Sequence, residues 1–179
     1  MRADAQRNRA RVLEAAEEVL ARDGLAASMR AVAELAGVGV GTIYRQFPTK
    51  EALYQAIVAD RTRRLAERAA ELGEGGDPGR ALFTFFAMIV EHATTKKVFV
   101  DALSAAGVDP KAGSPDLRGP IETLLVRAQR AGAVRPDVGM PELLALLSAA
   151  CLAAQQQGWD PGLRDRALAV VFDGLRTQP

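Results

Sequence analysis

Four residues in the first third of the chain carry the groups needed to read a DNA duplex. Gly41, Thr42, Arg45 and Gln46 lie in the run GVGVGTIYRQF, and none of them is acidic. On a helix they face away from Ile43 and Phe47, whose spacing of four sets an apolar stripe. In the major groove an Arg pairs bidentately with guanine, a Gln can pair with adenine, and a Thr methyl can touch a thymine methyl. Gly41 has no side chain and lets the backbone come close. Tyr44 is divided, since its ring continues the apolar stripe while its hydroxyl can reach a phosphate.

Such a helix needs a frame. The stretch from Ser28 to Phe47 reads as two short helices, the first with Val32, Ala33 and Ala36 on its apolar face, and Gly37 between them supplies a left-handed turn. Ser28 is placed to cap the first, and Arg30 then projects from its first turn. Helices this short are marginal alone, so a third must support them. The segment from about Asn8 to Arg22 fits, with Val12, Ala16, Val19 and Leu20 on one stripe and Gly24 as its stop. Pro48 ends the second short helix at Phe47. Thr49 can cap a fourth helix starting at Lys50, where free amides, a dipole and a lysine together make a phosphate site. Ahead of this frame, Arg2, Arg7, Arg9 and Arg11 fit a solvated terminus or a basic arm equally well. The pattern is a helix-turn-helix, although a solvated helix pair in an unrelated α-helical protein has the same periodicity.

From Ala10 to Leu53 the chain resembles the DNA-binding domain of the tetracycline-repressor (TetR) family of transcriptional regulators, through RAVAELAGV, GTIYRQF and PTKEAL in that order and spacing. Gly39 stands where that family commonly has a capping Ser, and Gln46 where a His is frequent. A Gly cap is only a few tenths of a kcal/mol poorer than Ser, so the fold is unaffected while the hydroxyl contact is lost. The resemblance implies a DNA surface of Ser28, Arg30, Gly39, Val40, Gly41, Thr42, Tyr44, Arg45, Gln46 and Lys50, with Arg30, Tyr44 and Lys50 on phosphates.

Composition agrees with an all-α class: of 179 residues 49% are hydrophobic, Ala and Leu dominate, and strand-like alternation is missing. The net charge of +1 hides an asymmetry, because residues 1–70 hold 12 Lys or Arg against 9 Asp or Glu, while residues 71–179 hold 11 against 13. The basic half is the one with the helix-turn-helix. A lone Cys151 forms no internal disulfide, and with His92 as the single His there is no metal or catalytic cluster, so neither a cofactor nor an enzyme is expected. The charged start lacks a signal-peptide core, and the longest apolar run, Leu143 to Ala154, is too short for a bilayer span of about 20 residues. A cytoplasmic protein without membrane association is expected.

The fourth helix should run from Lys50 to about Leu72, with Arg61, Arg63, Arg64 and Arg68 on a solvated face, and GEGGDPG at 73–79 should be a loop. Further helices are expected at about 80–94, 96–106, 116–132, 141–157 and 162–176, the third kinked at Pro120 or starting later. The division expected is a three-helix DNA-binding domain, 1–53, and a helical ligand-binding and dimerisation domain, 54–179. The last two helices are apolar on more than one side, which fits a central helix of one domain or a contact with a second subunit. The resemblance implies the latter, a four-helix bundle in a homodimer, with Leu147, Cys151, Leu168, Val171, Phe172 and Leu175 as interface candidates. It also implies a cavity for a small apolar or aromatic ligand. Phe83, Phe86, His92, Phe99, Leu103, Gln155 and Trp159 are candidate lining residues, with Arg127, Gln129 and Gln156 as further polar contacts, although apolar clusters of this kind are by default ordinary core. The function implied is a repressor that binds a palindromic operator in double-stranded DNA and is released by an inducer. The alternative is a regulator independent of ligand or controlled by a protein partner.

Overall fold

A computed structural model describes residues 2–105, 107, 109 and 115–177, apart from the side chains of 2–6, 25, 94–96, 98 and 99. The expectations for the Arg2 and Phe99 side chains fall outside what is described. The described residues form α1 (Arg2–Asp23), α2 (Met29–Ala36), α3 (Val40–Gln46), α4 (Lys50–Glu74), α5 (Pro78–Ala105), α6 (Arg118–Arg130), α7 (Met140–Gln157) and α8 (Pro161–Leu175), with a short 3₁₀ turn at Gly24–Ala26. The chain divides into two compact units, residues 1–61 with 98–114, and residues 62–97 with 115–179.

The first unit is a small core closed by the two short helices. Val12, Ala16, Val19 and Leu20 of α1 are buried with Val32, Ala33, Ala36, Ile43 and Phe47, and Leu53 and Ile57 from α4 join them. Gly37 ends α2 at φ 65°, the left-handed value that a side chain disfavours. Ser28 and Thr49 cap as expected, their hydroxyls accepting from the amides of Ala31 and Ala52 at 3.1 Å each. α1 starts six residues earlier than its periodicity predicts. Arg61 departs from the expected solvated face: its Nη2 donates to Glu17 Oε2 at 2.9 Å, and the two side chains are only 13% and 20% exposed. The other arginines named with it behave differently, Arg63 and Arg68 pairing along α4 with Glu67 and Glu71 at the surface.

In the second unit the core gathers Leu65 and Ala69 of α4, Leu82, Phe85, Phe86 and Val90 of α5, Ile121, Leu124 and Leu125 of α6, and Leu143, Leu147, Leu168 and Leu175 of the last two helices. The two helices expected at 80–94 and 96–106 are one, α5, since no Gly or Pro lies between Gly79 and Gly107 to stop it. The loop before it is correspondingly shorter than 73–79, as α4 continues to Glu74 and α5 opens at Pro78. α6 starts at Arg118, so Pro120 sits in its first turn, where the missing amide costs nothing, and no kink is required. Asp160 caps α8 through the Leu163 amide at 2.9 Å, with Pro161 at the first helical position.

Candidate nucleic-acid interface

α3 is held by its inner face and presents its outer one. Ile43 is completely buried and Phe47 nearly so, whereas Val40 is 40% and Tyr44 50% exposed. Gly41, Arg45 and Gln46 are exposed and Thr42 half-buried. Tyr44 is thus only half covered and is not part of the buried core that Ile43 and Phe47 join. A Cβ at Gly41 would meet nothing within 4 Å, so that side of α3 is open. Arg45 Nη2 donates to Thr42 Oγ1 at 3.0 Å, which aims the guanidinium along the outer face one turn back toward the helix start. No acidic residue lies on α3.

Around this helix stand the other polar residues that the family resemblance singles out. Arg30 and Ser28 are exposed at the start of α2. Lys50, half-buried at the start of α4, lies with Nζ 5.7 Å from the centre of the Tyr54 ring, a cation–π contact. Gly39 caps α3 with backbone only: its carbonyl accepts from Thr42 N at 2.8 Å and no side chain contributes.

Two arginines of the N-terminal segment have structural work instead. The Arg9 guanidinium sits 4.9 Å from the centre of the Phe47 ring, and Arg11 donates to the Ala36 carbonyl. Their periodicity gave no sign of this, since a cation at an exposed helix position reads the same whether it meets solvent or a neighbouring helix end.

In the second unit the predicted pocket set separates. Phe83 and Phe86 both pack on Phe172, with ring centres at 4.7 Å (stacked) and 5.5 Å (edge to face). Leu103 belongs to the buried core of the first unit, the one that holds Ile43 and Leu53. Gln155 Nε2 donates to the Ala93 carbonyl at 3.1 Å, and Gln129 Nε2 to those of Arg135 and Val138 at 3.1 and 2.9 Å. His92 and Trp159 are half-buried, the indole donating to Gln157 Oε1 at 3.0 Å. Gln156 is exposed. Phe83 does line a groove of about 590 Å³ between α5 and α8, with Arg80, Thr84, Phe172 and Arg176. Arg127 lines another, of about 500 Å³, between α4 and α6.

The predicted interface set is also redistributed. Leu147, Leu168 and Leu175 are buried in their own chain's core, and Cys151, Val171 and Phe172 are half-buried against it. The large apolar side chains that α7 and α8 leave exposed are Leu146 (39%), Leu152 (54%) and Val170 (74%), each next to one of these candidates, and Leu163 (39%) in the first turn of α8. A helix apolar nearly all round offers two candidate faces, and periodicity does not say which one the chain itself covers.

With a helix-turn-helix unit and a separate helical unit in place, the chain is a regulator of the class its N-terminal motifs resemble. Residues 12–57 match the model for bacterial regulatory proteins of the TetR family, and residues 77–177 that for the C-terminal domain of SbtR-like transcriptional regulators. A crystal structure of a TetR transcription regulatory protein from Mycobacterium vanbaalenii is 41% identical, covers 98% of this chain and 99% of its own, and superposes with a TM-score of 0.82. The chain belongs to the TetR family of transcriptional regulators. Among curated relatives it is 40% identical over 76 residues to the regulator UidR of Escherichia coli (42% of this chain, 39% of that one). It is 36% identical over 121 residues to the repressor KstR of Mycolicibacterium smegmatis (59% and 58%). It thus spans about two-fifths to three-fifths of the length of these curated relatives.

Proposed function

We propose that this protein is a homodimeric repressor that binds a two-fold-symmetric DNA operator through α3 and is released by a small apolar or aromatic molecule. The observation that carries it is the outer face of α3, where Arg45, anchored on Thr42, and Gln46 stand exposed beside the open Gly41 on a helix without an acidic residue. The relative KstR is a repressor by name, which favours repression over activation. Leu146, Leu152, Leu163 and Val170 are the apolar side chains offered to a second copy, in place of the more covered residues named on the family resemblance. Two copies of α3 related by a dyad fit half-sites about 34–36 Å apart, one turn of the duplex. Such a protein acts where the DNA is, in the cytoplasm, and among the described residues no helix is long and apolar enough to cross a membrane.

Selection of bound sequences from a random duplex library, followed by footprinting, tests this reading. The expected product is an inverted repeat protected over two successive major grooves on one side of the duplex. Recovery of no preferred sequence, or of a single unpaired half-site bound by a monomer, overturns it. Release is tested on the same duplex: the fold by which an inducer weakens DNA binding must equal the fold by which DNA weakens inducer binding. A ligand bound tightly without effect on the operator moves the ligand-independent reading ahead.

A further inference from the structure

The groove between α5 and α8 has a composition that its neighbours lack. Its floor is aromatic, the stacked rings of Phe83 and Phe172, with Phe83 only 9% exposed. Two guanidinium groups stand at its rim. Arg176 lies over the Phe83 ring at 5.2 Å and is tethered by an ion pair to Asp173. Arg80 lines the groove from the first turn of α5 and is exposed, with no ion pair among the described residues. The Thr84 hydroxyl lies one turn further along. The one acidic residue in the lining, Asp77, caps the start of α5, its Oδ1 accepting the Arg80 amide at 3.0 Å. A volume of about 590 Å³ suits a ligand of one or two rings.

The groove and the proposed contact with a second copy use different sides of α8. Phe172 and Val170 are two residues apart, about 200° around a helix of 3.6 residues per turn. Val170, 74% exposed, faces the proposed partner; Phe172 and Arg176 face α5.

We propose that this groove is the binding site for a planar aromatic carboxylate, whose ring packs against Phe172, the more exposed of the two floor rings, and whose anionic end meets Arg80 and Arg176. Stacking needs a flat apolar body, and two cations on one rim, the first without an acidic partner, call for a negative charge. A neutral aromatic satisfies only the floor, and an aliphatic acid only the rim. The site deepens the inducer reading by naming the class of ligand, but its test needs no DNA, so failure of the site and failure of operator release are seen separately.

Calorimetric titration of the whole protein with 2-naphthoate, 2-naphthamide and cyclohexanecarboxylate is the experiment. The acid is expected to bind about tenfold or more tighter than the neutral amide, the scale of a charge-assisted hydrogen bond, and the aliphatic acid more weakly than either. Arg80→Gln should remove the preference of acid over amide while leaving circular dichroism and melting unchanged, because that side chain holds no partner in the fold. Thr84→Val and Phe172→Leu, read the same way, should weaken the acid. Equal affinity for acid and amide, or an Arg80→Gln protein that keeps its preference within about twofold, overturns the proposal. Operator binding measured with and without saturating naphthoate then decides whether the site acts on DNA.

Discussion

Arg11, on α1, donates from Nη2 to the carbonyl of Ala36, the last residue of α2, at 2.7 Å and across 25 residues of sequence. That carbonyl is among the last of its helix and has no intrahelical partner, and a cation there also complements the helix dipole. A Cβ on Gly37 would come within 3.2 Å of the same Nη2, so position 37 needs glycine both for its left-handed turn and for the guanidinium beside it. Replacing Arg11 by Ala should cost about 1–2 kcal/mol of stability in the first unit. Operator binding should weaken through that loss alone. The slope of log affinity against log salt is the check, because it stays unchanged for a structural arginine and falls by about one for a phosphate contact.

Arg45 and Lys50 should behave oppositely on DNA. Arg45→Ala is expected to cost about 1–3 kcal/mol on the preferred operator and to relax preference at one base pair in each half-site. Lys50→Ala should weaken every sequence alike and reduce the salt slope by about one. Binding assays on a set of single-base operator variants separate the two, and the reverse pattern would show that α3 docks in another orientation.

Gly39 offers a gain. Its φ of −68° and ψ of 140° suit any capping residue, and a Cβ there would meet Thr42 Oγ1 at 3.9 Å, an ordinary contact. A serine hydroxyl could accept a hydrogen bond that no side chain now takes at the start of α3. Gly39→Ser should raise stability by a few tenths of a kcal/mol, seen as a higher midpoint in urea with an unchanged slope. A lower midpoint would mean that the α3 start is not limited by its cap.

The residues that carry local backbone signals were the legible ones. Ser28, Gly37 and Thr49 each act on their own or an adjacent helix, so sequence spacing located them, and so did the core stripe from Val12 to Leu20. Arg11, Arg61 and Gln155 were illegible because their partners, Ala36, Glu17 and Ala93, lie 25 or more residues away and no periodicity encodes the pairing. Leu103 and Phe83, both named as pocket candidates on the family resemblance, belong to different cores. On α8, burial chose between two apolar stripes that hydropathy ranks alike.

That choice of stripe is testable. Leu152→Glu and Val170→Glu place a charge on exposed positions, so each should leave a folded chain, and each should dissociate the proposed dimer by burying an unpaired carboxylate in it. Leu147→Glu, at a position 7% exposed, should instead unfold the second unit. Sedimentation with circular dichroism distinguishes the outcomes. Dimers that survive both surface charges would place the contact elsewhere, and a wild-type protein that sediments as a monomer at micromolar concentration would remove the dimer altogether.

Arg61 should contribute more to stability than its neighbours on α4. Its ion pair with Glu17 is largely shielded, whereas the Arg63–Glu67 and Arg68–Glu71 pairs are half-exposed, where such contacts are worth about 0–1 kcal/mol. Arg61→Ala should therefore lower stability by about 1–3 kcal/mol, the cost of breaking a shielded pair, and Arg63→Ala and Arg68→Ala by no more than a few tenths. The double variant Glu17→Gln with Arg61→Ala should recover part of the loss, since it removes a carboxylate that has lost this ion pair. Urea midpoints for the three single variants that fall together would show that the pair is solvated in solution.

Cys151 sits half-buried on α7, and burial pushes its thiol up to about 11. The thiolate is the nucleophile, so at pH 8 it should be roughly two hundred-fold scarcer than for a free cysteine of pKa about 8.5. Reaction with an aromatic disulfide reagent should accordingly be slow in the native protein and should still be accelerating at pH 10, where an ordinary thiol has levelled off. In the unfolded chain the same thiol loses its proton from about pH 8.5. The native state keeps that proton longer, so this group stabilises the fold fully below about pH 8.5 and progressively less as pH rises toward 11. Rate constants measured from pH 7 to 10 in native buffer and in urea provide the comparison. A native profile that levels off near pH 8.5, together with a rate equal to that in urea, would place the thiol in water and not against the core of the second unit.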